Sequence, residues 1–99
     1  EIKKRVEAAR AIQHERFKGT SITCNAKMDA ASTRKHCRMT ESALMILKTA
    51  FERLSLSARA YDKVLRIART IADLENSEII ETHHITEAIQ YRSFDRDFE

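Results

Sequence analysis

Among the residues able to do chemistry, Arg59 occupies the least comfortable position. It stands two residues after Ser57, a good helix N-cap. Its cation therefore faces the positive end of a helix dipole, a mismatch worth roughly 0.3–1 kcal/mol. Lys63, one turn on, adds like-charge repulsion, and Asp62 offers partial relief. A local rule broken without evident gain marks a place to look for function. An arginine beside the unbonded amides of a helix start is a receptor for an anion, phosphate above all. The plainer alternative is an arginine that points into solvent or pairs with Asp62.

Other reactive side chains carry less. Cys24, His36 and Cys37 match no common structural-zinc spacing, and His83 and His84 lie far along the chain. Small buried or idle cysteines are expected, and no metal site. His83 and His84 adjoin on a helix, where neighbouring side chains diverge, so they are not expected to act on one atom. There is no GxxxxGK[ST] loop and no convincing Ser/His/Asp or Cys/His arrangement. Arg5, Arg10 and Arg16 on a basic first helix are candidate contacts for a nucleic-acid backbone, or one solvated face of that helix.

Four apolar-periodic segments must position these residues. The spacing predicts a first helix over 2–18, with Ile2, Val6, Ala9, Gln13 and Phe17 on one face and Gly19 as its stop. The stretch 19–39 is read as irregular, its Thr20-Ser21-Ile22-Thr23 run disfavouring helix, with one or two short turns from Asn25 to Ala31 capped by Asn25. Thr40 caps a helix over 41–54 that buries Ala43, Leu44, Leu47, Ala50, Phe51 and Leu54. Helix 58–75 presents Ala60, Tyr61, Val64, Leu65, Ala68, Ile71, Ala72 and Leu74, with Asp62–Arg66 and Arg69–Asp73 as i,i+4 pairs worth a few tenths of a kcal/mol. Glu78–Glu81 form an extended link, and Thr82 caps a last helix over 83–92 that buries Ile85, Ala88, Ile89 and Tyr91. Residues 93–99 are expected to fray.

One glycine and no proline disfavour tight-turned sheets, and 99 residues suit one helical domain with a modest core. No apolar run approaches the roughly 20 residues of a membrane span, and no signal peptide is evident. Two cysteines suit a reducing, cytoplasmic setting. The first 39 residues carry ten Lys/Arg against four acids and the last 24 carry two against six, an asymmetry that suits docking as well as nucleic acid. Starting at Glu1 without methionine, the chain reads as part of a larger protein.

Ser57-Ala58-Arg59-Ala60 followed by a long apolar-periodic helix resembles the sensor-2 motif in the lid of AAA+ ATPases. The longer run SARAYDKVLRIARTIADLE, with HHITEAIQYR after it, resembles the magnesium-chelatase-like AAA+ proteins, in their competence-related bacterial branch. Arg5-Val6, Ala9-Arg10, Gln13, Arg16-Phe17, Asn25-Ala26 and Cys37 fit the same pattern upstream. The resemblance implies an all-α, four-helix lid-type bundle that forms the C-terminal domain of a larger ATPase. It implies ATP and magnesium as cofactors of the parent, with none bound by this chain alone. Arg59 would be the sensor arginine, with Ser57 beside it at the nucleotide. The implied partners are an upstream AAA+ core and neighbouring subunits of a ring, with DNA as a possible substrate. A small helical DNA-binding module, or a protein-interaction module, is the alternative reading.

Overall fold

Ser57 begins the helix around which the rest is packed. Its hydroxyl accepts from the Ala60 amide at 3.1 Å, and its extended backbone turns the chain into α4, Ala58–Leu74. The computed structural model describes residues 2–94, which form α1 (Ile2–Arg16), a 3-10 turn (Asn25–Lys27), α2 (Ala30–His36), α3 (Glu41–Arg53), α4 and α5 (Thr82–Phe94). There is no strand among the described residues, only an isolated parallel bridge between Met39 and Ile80 that ties the entry of α3 to the entry of α5. α4 packs against α5, α1, α2 and the 3-10 turn, while α3 leans on α5. Val64, Ala68 and Ala72 from α4 meet Leu47 of α3 and Ile85 and Ala88 of α5 in a core with no exposed surface. Fully burying each of the larger of these side chains contributes about 1.5–3 kcal/mol.

The fold is all-helical as expected, but it has five helices rather than four. The additional one, α2, lies in the stretch expected to be irregular. It forms because the Asp29 carboxylate caps it, accepting from Ser32 N at 2.8 Å, ahead of Ala30 and Ala31. Asn25 caps nothing; its side chain is fully engaged elsewhere. α1 ends at Arg16 and the chain leaves it through Gly19 at φ +82°. Phe51 and Leu54 of α3 are not core: they are 37% and 49% exposed, and Met45 is 66% exposed on the same helix. Phe51 instead meets Tyr61 edge to face, with ring centroids 5.4 Å apart. The last helix begins at Thr82, expected as its cap, and runs to Phe94, two residues past its expected end; Tyr91, expected among its buried residues, is 55% exposed. Residues 95–99 of the tail expected to fray lie outside the described residues. No helix among those described is long and apolar enough to cross a membrane.

Two helices end in the same manner. After α3, Leu56 N bonds Phe51 O and Ser55 N bonds Glu52 O; after α4, Ser77 N bonds Ala72 O and Asn76 N bonds Asp73 O. These paired bonds define a Schellman turn, which needs a left-handed residue. Asn76, at φ 58°, tolerates that conformation better than Ser55, at φ 51°. We therefore expect Ser55→Gly to stabilise the chain by about 0.5–1 kcal/mol, and Asn76→Gly to do less. Urea unfolding monitored by circular dichroism checks the order, and a destabilised Ser55→Gly would contradict it.

Candidate functional site

α4 carries different chemistry at its two ends. At its start Arg59 is exposed and makes no hydrogen bond or ion pair among the described residues, so neither Asp62 nor any other acid neutralises it. The Asp62–Arg66 pair is likewise not formed. Ser57 satisfies the Ala60 amide, and the first helical bond runs from Tyr61 N to Ser57 O. The amides of Ala58 and Arg59 therefore stand ahead of the hydrogen-bonded ladder. An unpaired guanidinium next to such amides can receive an anionic oxygen.

At the other end Asp73 gathers two arginines from separate parts of the chain. Arg16 holds it in a fork, Nη2 to Oδ1 at 2.7 Å and Nη1 to Oδ2 at 2.8 Å. Arg69, one turn back on α4, brings Nε within 3.2 Å of Oδ1. The contact is close, but Nε makes no properly directed hydrogen bond. Asn25 completes the carboxylate from the 3-10 turn, its Nδ2 donating to Oδ2 at 2.9 Å and its Oδ1 accepting from Arg16 Nη1 at 2.7 Å. The Arg69 guanidinium also donates to the carbonyls of His36, Ser77 and Glu78. The Schellman turn after α4 supplies the Ser77 carbonyl and leads straight to that of Glu78. Burial works against the Arg69 charge, Asp73 supports it and Arg16 opposes it.

This cluster is where sequence expectation and structure part most clearly. Arg69–Asp73 is expected as an i,i+4 pair worth a few tenths of a kcal/mol, yet Arg69 is 2% and Asp73 1% exposed. The signal that could have revealed them is spacing: Leu65, Arg69 and Asp73 lie on one row of α4, four residues apart, flanked by Ala68 and Ala72. The three arginines of the first helix also separate. Arg16 is bound to Asp73, Arg5 reaches the Leu74 carbonyl at 3.5 Å, and Arg10 is exposed.

Adjacent histidines, expected not to serve one atom, do so. Nε2 of His83 and Nε2 of His84 lie 2.8 and 2.9 Å from the same Oε1 of Glu75. Both imidazoles are long enough to reach the end of α4 from the first turn of α5, and the rings sit 4.0 Å apart. His84 has no exposed surface, and its Nδ1 accepts the Glu81 amide at 2.8 Å, closing the start of α5 as a capping side chain does. An Nδ1 that accepts must leave the proton on Nε2, which then donates to Glu75. Glu75, His83 and His84 are the one grouping of three or more potential metal ligands among the described residues. A cation at His84 Nε2 would need that proton removed and the Glu81 bond broken, so the geometry fits shared protons rather than a metal. Cys37 is inert: burial pushes its thiol up to about 11, and its Sγ lies 3.7 Å from the Leu65 carbonyl.

The hydrogen bond to Glu75 raises the His83 pKa above its ordinary 6.5, and the bonds from His83 and His84 lower that of Glu75 below 4.5. The first effect is fully present below pH 6.5 and fades as pH rises through the raised His83 value; the second is present above pH 4.5 and fades as pH falls through the depressed Glu75 value. The stabilisation should therefore be greatest between the two. Melting of wild type and His83→Ala over about pH 5 to about pH 8 should show a gap that narrows as pH rises. A gap of constant width would contradict the pair.

Comparison with known proteins adds a family. The model described as "Magnesium chelatase, subunit ChlI C-terminal" matches residues 1–92. The chain is 39% identical over 95 residues to the protein YifB of Escherichia coli (strain K12), covering 96% of this chain and 18% of the relative. It is 32% identical over 96 residues to the competence protein ComM of Haemophilus influenzae, covering 97% and 18%. The chain thus spans less than a fifth of the length of these relatives.

Proposed function

Because the chain belongs to the family of magnesium chelatase ChlI C-terminal domains, we propose that it is the helical lid of an AAA+ ATPase in which Arg59 meets the γ-phosphate of ATP. The observation that carries this reading is the unpaired, exposed Arg59 at the capped start of a helix whose opposite end is locked in place. Bound with magnesium by the parent's upstream core, ATP would supply the phosphoryl group. The chain's own residues fit an anionic oxygen there but include no phosphate loop to hold the nucleotide alone. Ser57 fixes the helix start, and Arg59 offers a charge that is worth more as negative charge develops on the transferring oxygens. A lid whose long helix is held at both ends turns local contact at Arg59 into movement of the whole domain.

A relative named as a competence protein supports nucleic acid as what the parent remodels, ahead of a chelatase-type partner complex. A lid also needs neighbours: its own core and the adjoining subunits of a ring, in the cytoplasm. The alternative, a free-standing DNA-binding module on the first helix, loses Arg16 to Asp73.

Arg59→Ala in the full-length parent should leave the fold intact or stabilise it by roughly 0.3–1 kcal/mol, since it removes a cation from the positive end of the dipole. ATP hydrolysis should fall about a hundredfold or more. Lys63→Ala and Arg66→Ala, one and two turns away, should cost far less. Steady-state phosphate release decides: similar mild effects for all three would reduce Arg59 to a surface arginine.

A further inference from the structure

A cleft of about 270 Å³ opens beside the Asp73 cluster, between α1, the end of α2 and the turn after α4. Its lining includes four cations, Arg16, Arg69, Lys35 and Arg38. The acids there are Asp73, already shared by two arginines, and Glu78, so positive charge is in excess. Lys35 and Arg38 are exposed at the rim, and their side chains have no ion pair or hydrogen bond among the described residues. The floor is different in kind. Arg69 is 2% exposed, and its Nε lacks a properly directed acceptor. That nitrogen already faces Asp73 Oδ1 at 3.2 Å, so the floor contributes positive charge and the rim supplies the free donors. The local field is visible on His36, which also lines the cleft: burial and then Arg16, Lys35 and Arg69 hold its pKa below the ordinary value. At about 30 Å³ per water molecule the cleft has room for a phosphate group and its remaining hydration.

We propose that this cleft is a phosphate-binding site, in which Lys35 and Arg38 hold a phosphate group over the Arg16–Arg69 floor. Arg59 stands 14 residues from Asp73 on α4, about 21 Å along the axis, so one phosphate cannot engage both ends of the helix. The same chemistry is offered by a free phosphate or diphosphate and by the backbone of a nucleic acid. Cations lining one cleft recognise either.

Calorimetric titration of the 99-residue chain with pyrophosphate and, separately, with a short single-stranded oligodeoxynucleotide tests this at low salt. The comparison is between wild type, the rim variant Lys35→Ala/Arg38→Ala, and a control variant Lys48→Ala/Arg53→Ala that removes two exposed cations from α3. The rim variant should bind about tenfold or more weakly and the control within about twofold of wild type. The His36 ring resonance should titrate at higher pH in the complex. Rim-dependent binding of pyrophosphate identifies a free phosphate as sufficient; rim-dependent binding of the oligonucleotide alone identifies backbone phosphate. No binding of either ligand, or equal weakening by the rim and control variants, overturns the site.

Discussion

Asp73 is a single carboxylate between two guanidiniums, with almost no contact with water. Taking such charges out of solvent is expensive, and only near-complete hydrogen bonding makes it tolerable. Most of the fold around it serves that requirement. α1 must end where Arg16 can reach the carboxylate, and the 3-10 turn must place Asn25 against its second oxygen. The Asn25 amide is in turn held by Gln13 at 2.9 Å, and its Nδ2 also donates to Thr70 at 3.1 Å. The turn after α4 must expose two carbonyls to Arg69. Apolar burial holds α4, α3 and α5 together and takes in Phe17, Met28 and Cys37 from the first 39 residues; this network adds the directional contacts that fix how that segment sits on them.

A long helix pinned in this way suits the role proposed for it. α4 has 17 residues and spans about 25 Å. Its far end is immobilised by Asp73 and by the histidines gathered on Glu75, while its near end leaves Arg59 unpaired. In the proposed role, a charge contact at the near end would pass to the domain as rigid-body displacement rather than be absorbed by local bending. Met45 and Leu54 on α3 are exposed and carry packing surface, not reactive groups.

Much of this was legible in the residues. Ser57 and Thr40 cap the helices they were expected to cap, because a hydroxyl before an apolar-periodic run has one dominant use. The stripe Ala60, Val64, Leu65, Ala68, Ala72 is buried as its period requires. α2 was missed because the β-branched run before it weighed more than the Asp29 cap within the same stretch. Phe51 and Leu54 were misplaced because α3 carries more apolar surface than its neighbours cover. Reading Arg69 and Asp73 only as an i,i+4 pair omits that both fall on the buried row of α4, and the divergence expected of His83 and His84 omits the reach of their imidazoles. The role of Asn25 was not predictable from local pattern, since the two acceptors of its Nδ2 lie 45 and 48 residues away.

The central claim is that Asp73 holds the N-terminal segment to the helical core. Equilibrium unfolding of Asp73→Ala in urea tests it most directly, with hydrogen exchange of α1 amides read in parallel. Removing the carboxylate leaves the buried Arg69 guanidinium and the partly buried one of Arg16 without their shared partner, so stability should fall by about 3–5 kcal/mol, with α1 the first element to lose protection. A loss below about 1 kcal/mol, the range of a surface pair, with α1 still protected, would contradict the account.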